Sequence, residues 1–433
     1  MSVAPQKPEA RPLDPPAVAA PATGRQAGAR SRRGIVAARL HTGPLELLPV
    51  IISLMSTWVI FELLDHNHRF LTAANLSNMV VQIAGTGIMA IGITLVLLIG
   101  EIDLSIGSMS GLAAAILAIL GVRHGVPEVL AIGMVVLFGL GVGTLQGMIH
   151  AAIGAPSFVV TLAGLIGWQG LQLYLLSPQG AINIPDHGVI AALTHDYLPD
   201  IVGWSLAALL IGCYLAAIVV DTSRRRAAGL RCASLWRQVV RLVLLSAVVG
   251  AIVLVLNSWR GVPVAVALAV AFTVGFDLIL RKTPFGRSII AIGGNVEAAR
   301  RAGIPVTRIR VTVFALGSAM AAIGGILAVS REFAANQSTG GSNVLLFAIA
   351  AAVIGGVSLF GGRGSTYGAL LGIAVIGSIT NGMYLLELDT SVQLMITAVV
   401  LLIAVIIDSA SRRGRLLPAG TTAPFIRVGV KEL

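Results

Sequence analysis

The stretch "LLIGEIDLSIGSMSGLAAAI", Leu97–Ile116, closes one long apolar run and opens another, and it keeps two carboxylates, Glu101 and Asp103, between them. Gly107 and Gly111 then fall one helical turn apart. Lipid cannot hydrogen-bond an open backbone, so apolar runs of this length must be helices or strands of a closed barrel. Neither run alternates as a barrel strand does, and both read as helices. The rest of the chain agrees: of 433 residues, 56% are hydrophobic and only 11% charged, and the mean hydropathy is +0.91. A water-soluble domain does not have that balance. The expected fold class is therefore all-α: a polytopic helical membrane protein.

Twelve runs of about 20 residues qualify as spans between residues 45 and 408. Glycines near Gly100 and Gly361 interrupt two of them, so the expected number of transmembrane helices is 10 to 12, with some broken or re-entrant. Residues 1–44, rich in Pro, Ala and Arg without an apolar period, read as a disordered cytoplasmic tail. The first apolar core, from Leu45, lies too late and runs too long for a cleaved signal peptide and reads as an uncleaved helix. Residues 45–408 form the membrane domain and 409–433 a second cytoplasmic tail. Alternating the spans from a cytoplasmic N-terminus puts all of the 30 basic residues on the cytoplasmic side except Arg69, Arg123, Arg260 and Arg331. Both termini are thus expected inside. Positive-inside loops account for the net charge of +11 without nucleic acid. Cys213 and Cys232 have neither metal-ligand nor redox spacing.

For Glu101 and Asp103 the residues alone leave two readings open. At i and i+2 they cannot share a helix face. They are either solvated loop acids, one of them capping the next helix, or the polar lining of a broken helix or proton relay. Gly85, Gly92, Gly111, Gly141, Gly143, Gly147, Gly317, Gly324 and Gly325 sit at spacings that favour close helix packing. "GSMSG" (Gly107–Gly111) and "GSTYG" (Gly364–Gly368) both follow a glycine-marked break and open an apolar run, a recurrence that points to a translocation path. Thr161, Gln169, Gln172, Ser378, Asn381 and Gln393 are polar inside spans; interhelical hydrogen bonding is the preferred use of them, path lining the other. His150, His187 and His195 read as loop histidines without an intramembrane acid at helical spacing. No catalytic nucleophile, metal set or cofactor motif is present. No GxxxxGK[ST] loop occurs, and the only lysines are Lys7, Lys282 and Lys431, so any ATP hydrolysis belongs to another chain.

The segment "KTPFGRSIIAIGGNVEAARRAGIPVTRIRV", Lys282–Val311, carries a complete short helix outside the lipid, within a loop 281–310. Asn295 is its N-cap, Glu297 lies in the first turn, and Ala298, Ala299 and Ala302 make a small-residue face. Gly303 closes it before Pro305. Two turns do not hold themselves helical in water, so the helix must dock on something, either the bundle or a partner subunit.

Together and in this order, "GEIDLSIGSMSGL", "APSFVVTLAG", "TPFGRSIIAIGGNVEAARRAGI", "AAVIGGVSLFGGRGSTYGALLG" and "NGMYLL" resemble the permease subunits of bacterial ABC importers for monosaccharides, the ribose, xylose, arabinose and galactose group. The resemblance covers about Leu71 to Asp408 and implies a type II-like importer fold. It also implies an ATP-binding cassette subunit, a periplasmic sugar-binding protein and a permease homodimer in the inner membrane as partners, with no cofactor. It assigns Asn295, Glu297, Ala298, Ala299 and Gly303 to the helix that couples to the ATPase. Asp103 and Ser105 fall beside the translocation path, with Thr161, Gln169 and Asn381 as further path candidates. The longer middle, Trp204–Ser258 around "TSRRRAAGLRCASLWRQVVR", is similar to that of the xylose permeases, so D-xylose is the expected sugar.

Overall fold

The structure is a computed structural model that describes residues 47–230, 232 and 234–416. The expected tail 1–44 lies outside the described residues, as do residues 417–433 of the second. Helices carry most of the described chain: α1 (Leu48–Leu64), α2 (Ala73–Leu98), α3 (Ile106–Ala118, continued by a π-turn over Ile119–Arg123), α4 (Glu128–Ile153), α5 (Ser157–Leu176), α6 (Val189–His195), α7 (Asp200–Ala227) and α8 (Leu235–Asn257). There follow α9 (Val264–Lys282), α10 (Pro284–Gly294), α11 (Val296–Arg301), α12 (Val306–Glu332), α13 (Ser342–Ile354), α14 (Thr366–Leu385) and α15 (Thr390–Leu416). The last helix thus continues eight residues beyond position 408, the expected end of the membrane domain.

Among the described residues nine helices are long and apolar enough to cross a membrane, and α1, α13 and the apolar part of α15 are shorter. All twelve coincide with the runs read from sequence. At about 1.5 Å per residue α2 and α4 exceed the roughly 30 Å of a hydrocarbon core, whereas the 13 residues of α13 fall short of it. The break expected near Gly361 follows from that: α13 stops at Ile354, and Gly356, Gly361, Gly362 and Gly364 turn the chain with positive φ before α14 begins. Five helices, α4, α5, α7, α9 and α12, start immediately after a proline (Pro127, Pro156, Pro199, Pro263 and Pro305). A residue that cannot continue a preceding helix, and whose missing N–H is no loss at a first turn, sets those starts.

α12 runs through the bundle packed along α2, α3 and α4. Small residues allow the approach. A Cβ on Gly143 would meet the Phe314 carbonyl, one on Gly147 the Val311 backbone, and one on Gly85 or Gly92 the carbonyl of Gly324 or Gly317. Gly141 is the exception to the sequence expectation, with no atom of the described residues within 4 Å of its Cβ position outside its own helix and chain neighbours. α7 and α8 pack mainly on each other over a small cluster of Ala207, Val253, Leu256 and Val262.

The connections sort to two ends. At one end, β1 (Ala181–Asn183) pairs antiparallel with β4 (Ala334–Asn336), and β2 (Tyr197–Leu198) with β3 (Val262–Pro263). There Glu128, opening α4, accepts a hydrogen bond from Ile190 N at 2.7 Å. At the other end, Gly362 N donates to Leu98 O at 2.9 Å and Gly293 of α10 lies against both. This second end carries the basic loop and the Glu101–Asp103 break.

Candidate functional site

The break between α2 and α3 is built around its two acids. Gly100, at φ +80, turns the chain out of α2. Asp103 is 4% exposed, and its Oδ1 accepts from Ser105 N at 2.8 Å and Ser105 Oγ at 2.7 Å, fixing the turn that feeds α3. Ser105 Oγ also lies 3.1 Å from Gln146 Oε1 of α4. Burial pushes the Asp103 carboxyl up, while the two Ser105 bonds pull it down without cancelling that effect. Asp103 Oδ2, Gln146 Nε2 and Trp168 Nε1 are buried and have no hydrogen-bond partner among the described residues. The reading of Asp103 as a solvated loop acid is thereby corrected: it is buried within the break.

Glu101 is not a free loop acid either. Arg310 of α12 reaches its Oε1 at 2.7 Å, and His150 Nε2 from the end of α4 lies 3.2 Å from the same oxygen. The carbonyl of Ala155 accepts from His150 Nδ1 at 2.7 Å, so Nδ1 carries a proton. Burial raises the Glu101 carboxyl, but His150, Ser157 and Arg310 outweigh it and hold it below the ordinary carboxylate value. His150, expected to be a loop histidine without an acid, is 7% exposed and paired. Folding brings these groups together from three distant segments, so local spacing could not reveal the cluster. The available signal was that each lies near the same end of its span.

The basic loop folds as its sequence dictates. Asn295 Oδ1 accepts from Ala298 N at 2.9 Å and caps α11, Gly303 closes it at φ +80, and Ile304 N returns to Ala299 O at 3.1 Å. Ala299 is 4% exposed and packs into the cluster that holds Ile289, Ile292 and Val306. Asn295, Glu297, Ala298, Arg300 and Gly303 remain exposed, and Glu297 pairs with Arg300 at 2.8 Å. One face of α11 is anchored on the bundle and the other is open. Pro305 then leads into α12, whose first turns carry Arg310.

Residues 75–405 match the family model described as the permease component of the branched-chain amino acid transport system. The chain is 38% identical to the xylose transport system permease protein XylH of Escherichia coli over 84% of its own length and 90% of that protein. The chain belongs to this permease family. It is also 35% identical to XylH of Haemophilus influenzae, covering 84% of the chain and 97% of the relative. To the ribose import permease protein RbsC of Bacillus subtilis it is 32% identical, covering 86% and 95%. No solved structure matches the chain.

In the permease most of the path candidates hold helices together. Thr161 Oγ1 bonds the Ser157 carbonyl at 3.0 Å and lies 3.3 Å from Ile102 O, tying α5 to the break. Asn381 of α14 and Asn75 of α2 exchange amide bonds at 2.8 and 3.1 Å. Gln172 spans to the carbonyls of Asn336 and Thr339, both at 3.0 Å, and Ser378 accepts from Trp58 Nε1 at 2.9 Å. Gln169 is exposed on the outside of α5, away from the break. A largely apolar cleft with a few polar groups lies elsewhere, between α2, α12, α13 and α14, with Gln82, Thr86, Phe347, Thr380, Arg331 and Glu332 among its lining residues. Sequence reasoning missed Gln82 and Thr86, because a polar residue inside an apolar run does not say which face it occupies.

Proposed function

We propose that the permease is the membrane subunit of an ATP-driven importer that carries a monosaccharide, D-xylose, across the bacterial inner membrane. The observation that carries this is the 38% identity to a xylose permease over 84% of the chain, which includes the long α7–α8 block. The partners are an ATP-binding cassette subunit on the cytoplasmic side, a periplasmic sugar-binding protein, membrane lipid and a second permease chain that completes the path. The end bearing α10, α11 and the basic loop faces the cytoplasm, and both termini lie there.

In this reading α11 is the coupling helix. Its exposed face, with Asn295, Glu297, Ala298 and Gly303, meets the ATPase, and its buried Ala299 passes the displacement to the bundle. Pro305 and the first turns of α12 carry that displacement to Arg310, and the Arg310–Glu101 contact conveys it to the break that positions Asp103 and Ser105. The alternatives are a permease for another pentose, a nucleoside or a signalling sugar, or a proton-coupled secondary transporter relaying through Glu101 or Asp103. A relay group must take up and release protons, whereas Glu101 is held ionised by Arg310 and His150, which favours the ATP-driven reading. Competition by unlabelled sugars and nucleosides against labelled D-xylose in the complete reconstituted importer tests the substrate. D-xylose should compete best; stronger competition by ribose or a nucleoside overturns that assignment.

A further inference from the structure

The cleft between α2, α12, α13 and α14 encloses about 180 Å³, many times the roughly 10–15 Å³ one water requires. It lies toward the end that bears β1 and β4, where α12 finishes at Arg331 and Glu332 and the turn at Gly340 follows. Its walls combine apolar side chains, among them Met89, Phe347 and Ile373, with a few polar ones. Gln82 and Thr86, one turn apart on α2, are both only half-buried and make no hydrogen bond to the described residues. Other threonines in the long helices, Thr94 of α2, Thr144 of α4, Thr273 of α9 and Thr380 of α14, spend their hydroxyl on the carbonyl four residues back, at 2.7 to 3.0 Å. Thr86 keeps its hydroxyl for the cleft.

We propose that this cleft is a monosaccharide site of the permease on the sugar's entry side. Gln82 and Thr86 hydrogen-bond the sugar's hydroxyls, and Phe347 packs against its C–H face. Ligand sites are mostly apolar with a few placed polar groups, as here. Among the described residues that line the cleft, the only charged ones, Arg331 and Glu332, have opposite sign and are exposed. An ionic solute would need an opposite charge inside, and the interior offers amide and hydroxyl groups instead, which suits a neutral polyol. An acyl chain, conversely, would leave Gln82 and Thr86 unsatisfied.

The proposal rests on the reading of the chain as a monosaccharide permease, and the test separates the two. In the complete importer, with Cys213→Ser and Cys232→Ser, Thr86→Cys should react with a small membrane-impermeant thiol reagent, and excess D-xylose should slow that reaction. Gln82→Leu and Thr86→Val should each lower D-xylose uptake about tenfold, the worth of one hydrogen bond to a bound hydroxyl. Assembly with the ATPase subunit should be unchanged. If a substitution impairs assembly, the protection of Thr86→Cys by D-xylose decides. A wild-type importer that carries no monosaccharide overturns the reading beneath. An importer that carries D-xylose, with both variants at wild-type uptake and no protection of Thr86→Cys, overturns the cleft alone.

Discussion

Arg310 grips Glu101 at 2.7 Å and so joins the first turns of α12, which follow the basic loop, to the break between α2 and α3. The Glu101 side chain is 13% and the Arg310 side chain 19% exposed, with His150 closing the third side. An ion pair withdrawn from water to this degree holds geometry more than it adds stability, and it is costly to half-remove.

Arg310→Met leaves Glu101 with His150 and Ser157, and Glu101→Gln leaves Arg310 without that counter-charge. Each should destabilise the detergent-solubilised permease by about 2–4 kcal/mol, and the double variant by clearly less than the sum. Thermal unfolding of the two singles and the double checks this. Additive losses would mean that the two side chains do not act as a pair.

Ala299→Pro removes the bond from Ala299 N to Asn295 O at 3.0 Å and breaks α11. The local cost is about 3 kcal/mol, and the helix stands outside the spans, so the chain should still insert. Co-purification with the ATPase subunit and sugar uptake should fall together. Asn295→Ala, which loses only the cap, should weaken both by a smaller margin, about 1 kcal/mol. Normal uptake by Ala299→Pro would remove α11 from the coupling route.

Gly143 and Gly141 lie on one helix with opposite surroundings, the first against the Phe314 carbonyl and the second against nothing. Gly143→Val should force α4 from α12 and destabilise by at least about 1–3 kcal/mol. Gly141→Ala should be neutral or gain up to about 1 kcal/mol from helix propensity. Melting temperatures in detergent distinguish them, and equal losses at both sites would contradict the packing described.

What the chain disclosed in advance was what is local. The twelve apolar runs, the cap at Asn295, the closure at Gly303 and the turn before α14 depend on neighbouring residues, and each is found where its neighbours dictate. Gly141 misled because spacing along a helix does not say which face has a partner. The Glu101 cluster and the Gln82–Thr86 wall were hidden for the same reason in a stronger form: each is made by helices whose order around the bundle no single run specifies. His150 shows the cost, since an apolar run that ends in a histidine looks the same with or without a glutamate across the interface.

The central claim, that ATP hydrolysed by a partner drives sugar through this permease, is tested most directly in proteoliposomes. The permease and its ATP-binding subunit are reconstituted with ATP inside and the periplasmic protein loaded with labelled D-xylose outside. Labelled sugar should accumulate only with ATP and the ATP-binding subunit present, and a protonophore should leave the rate unchanged. Accumulation by the permease alone, driven by a proton gradient and abolished by the protonophore, would contradict the account.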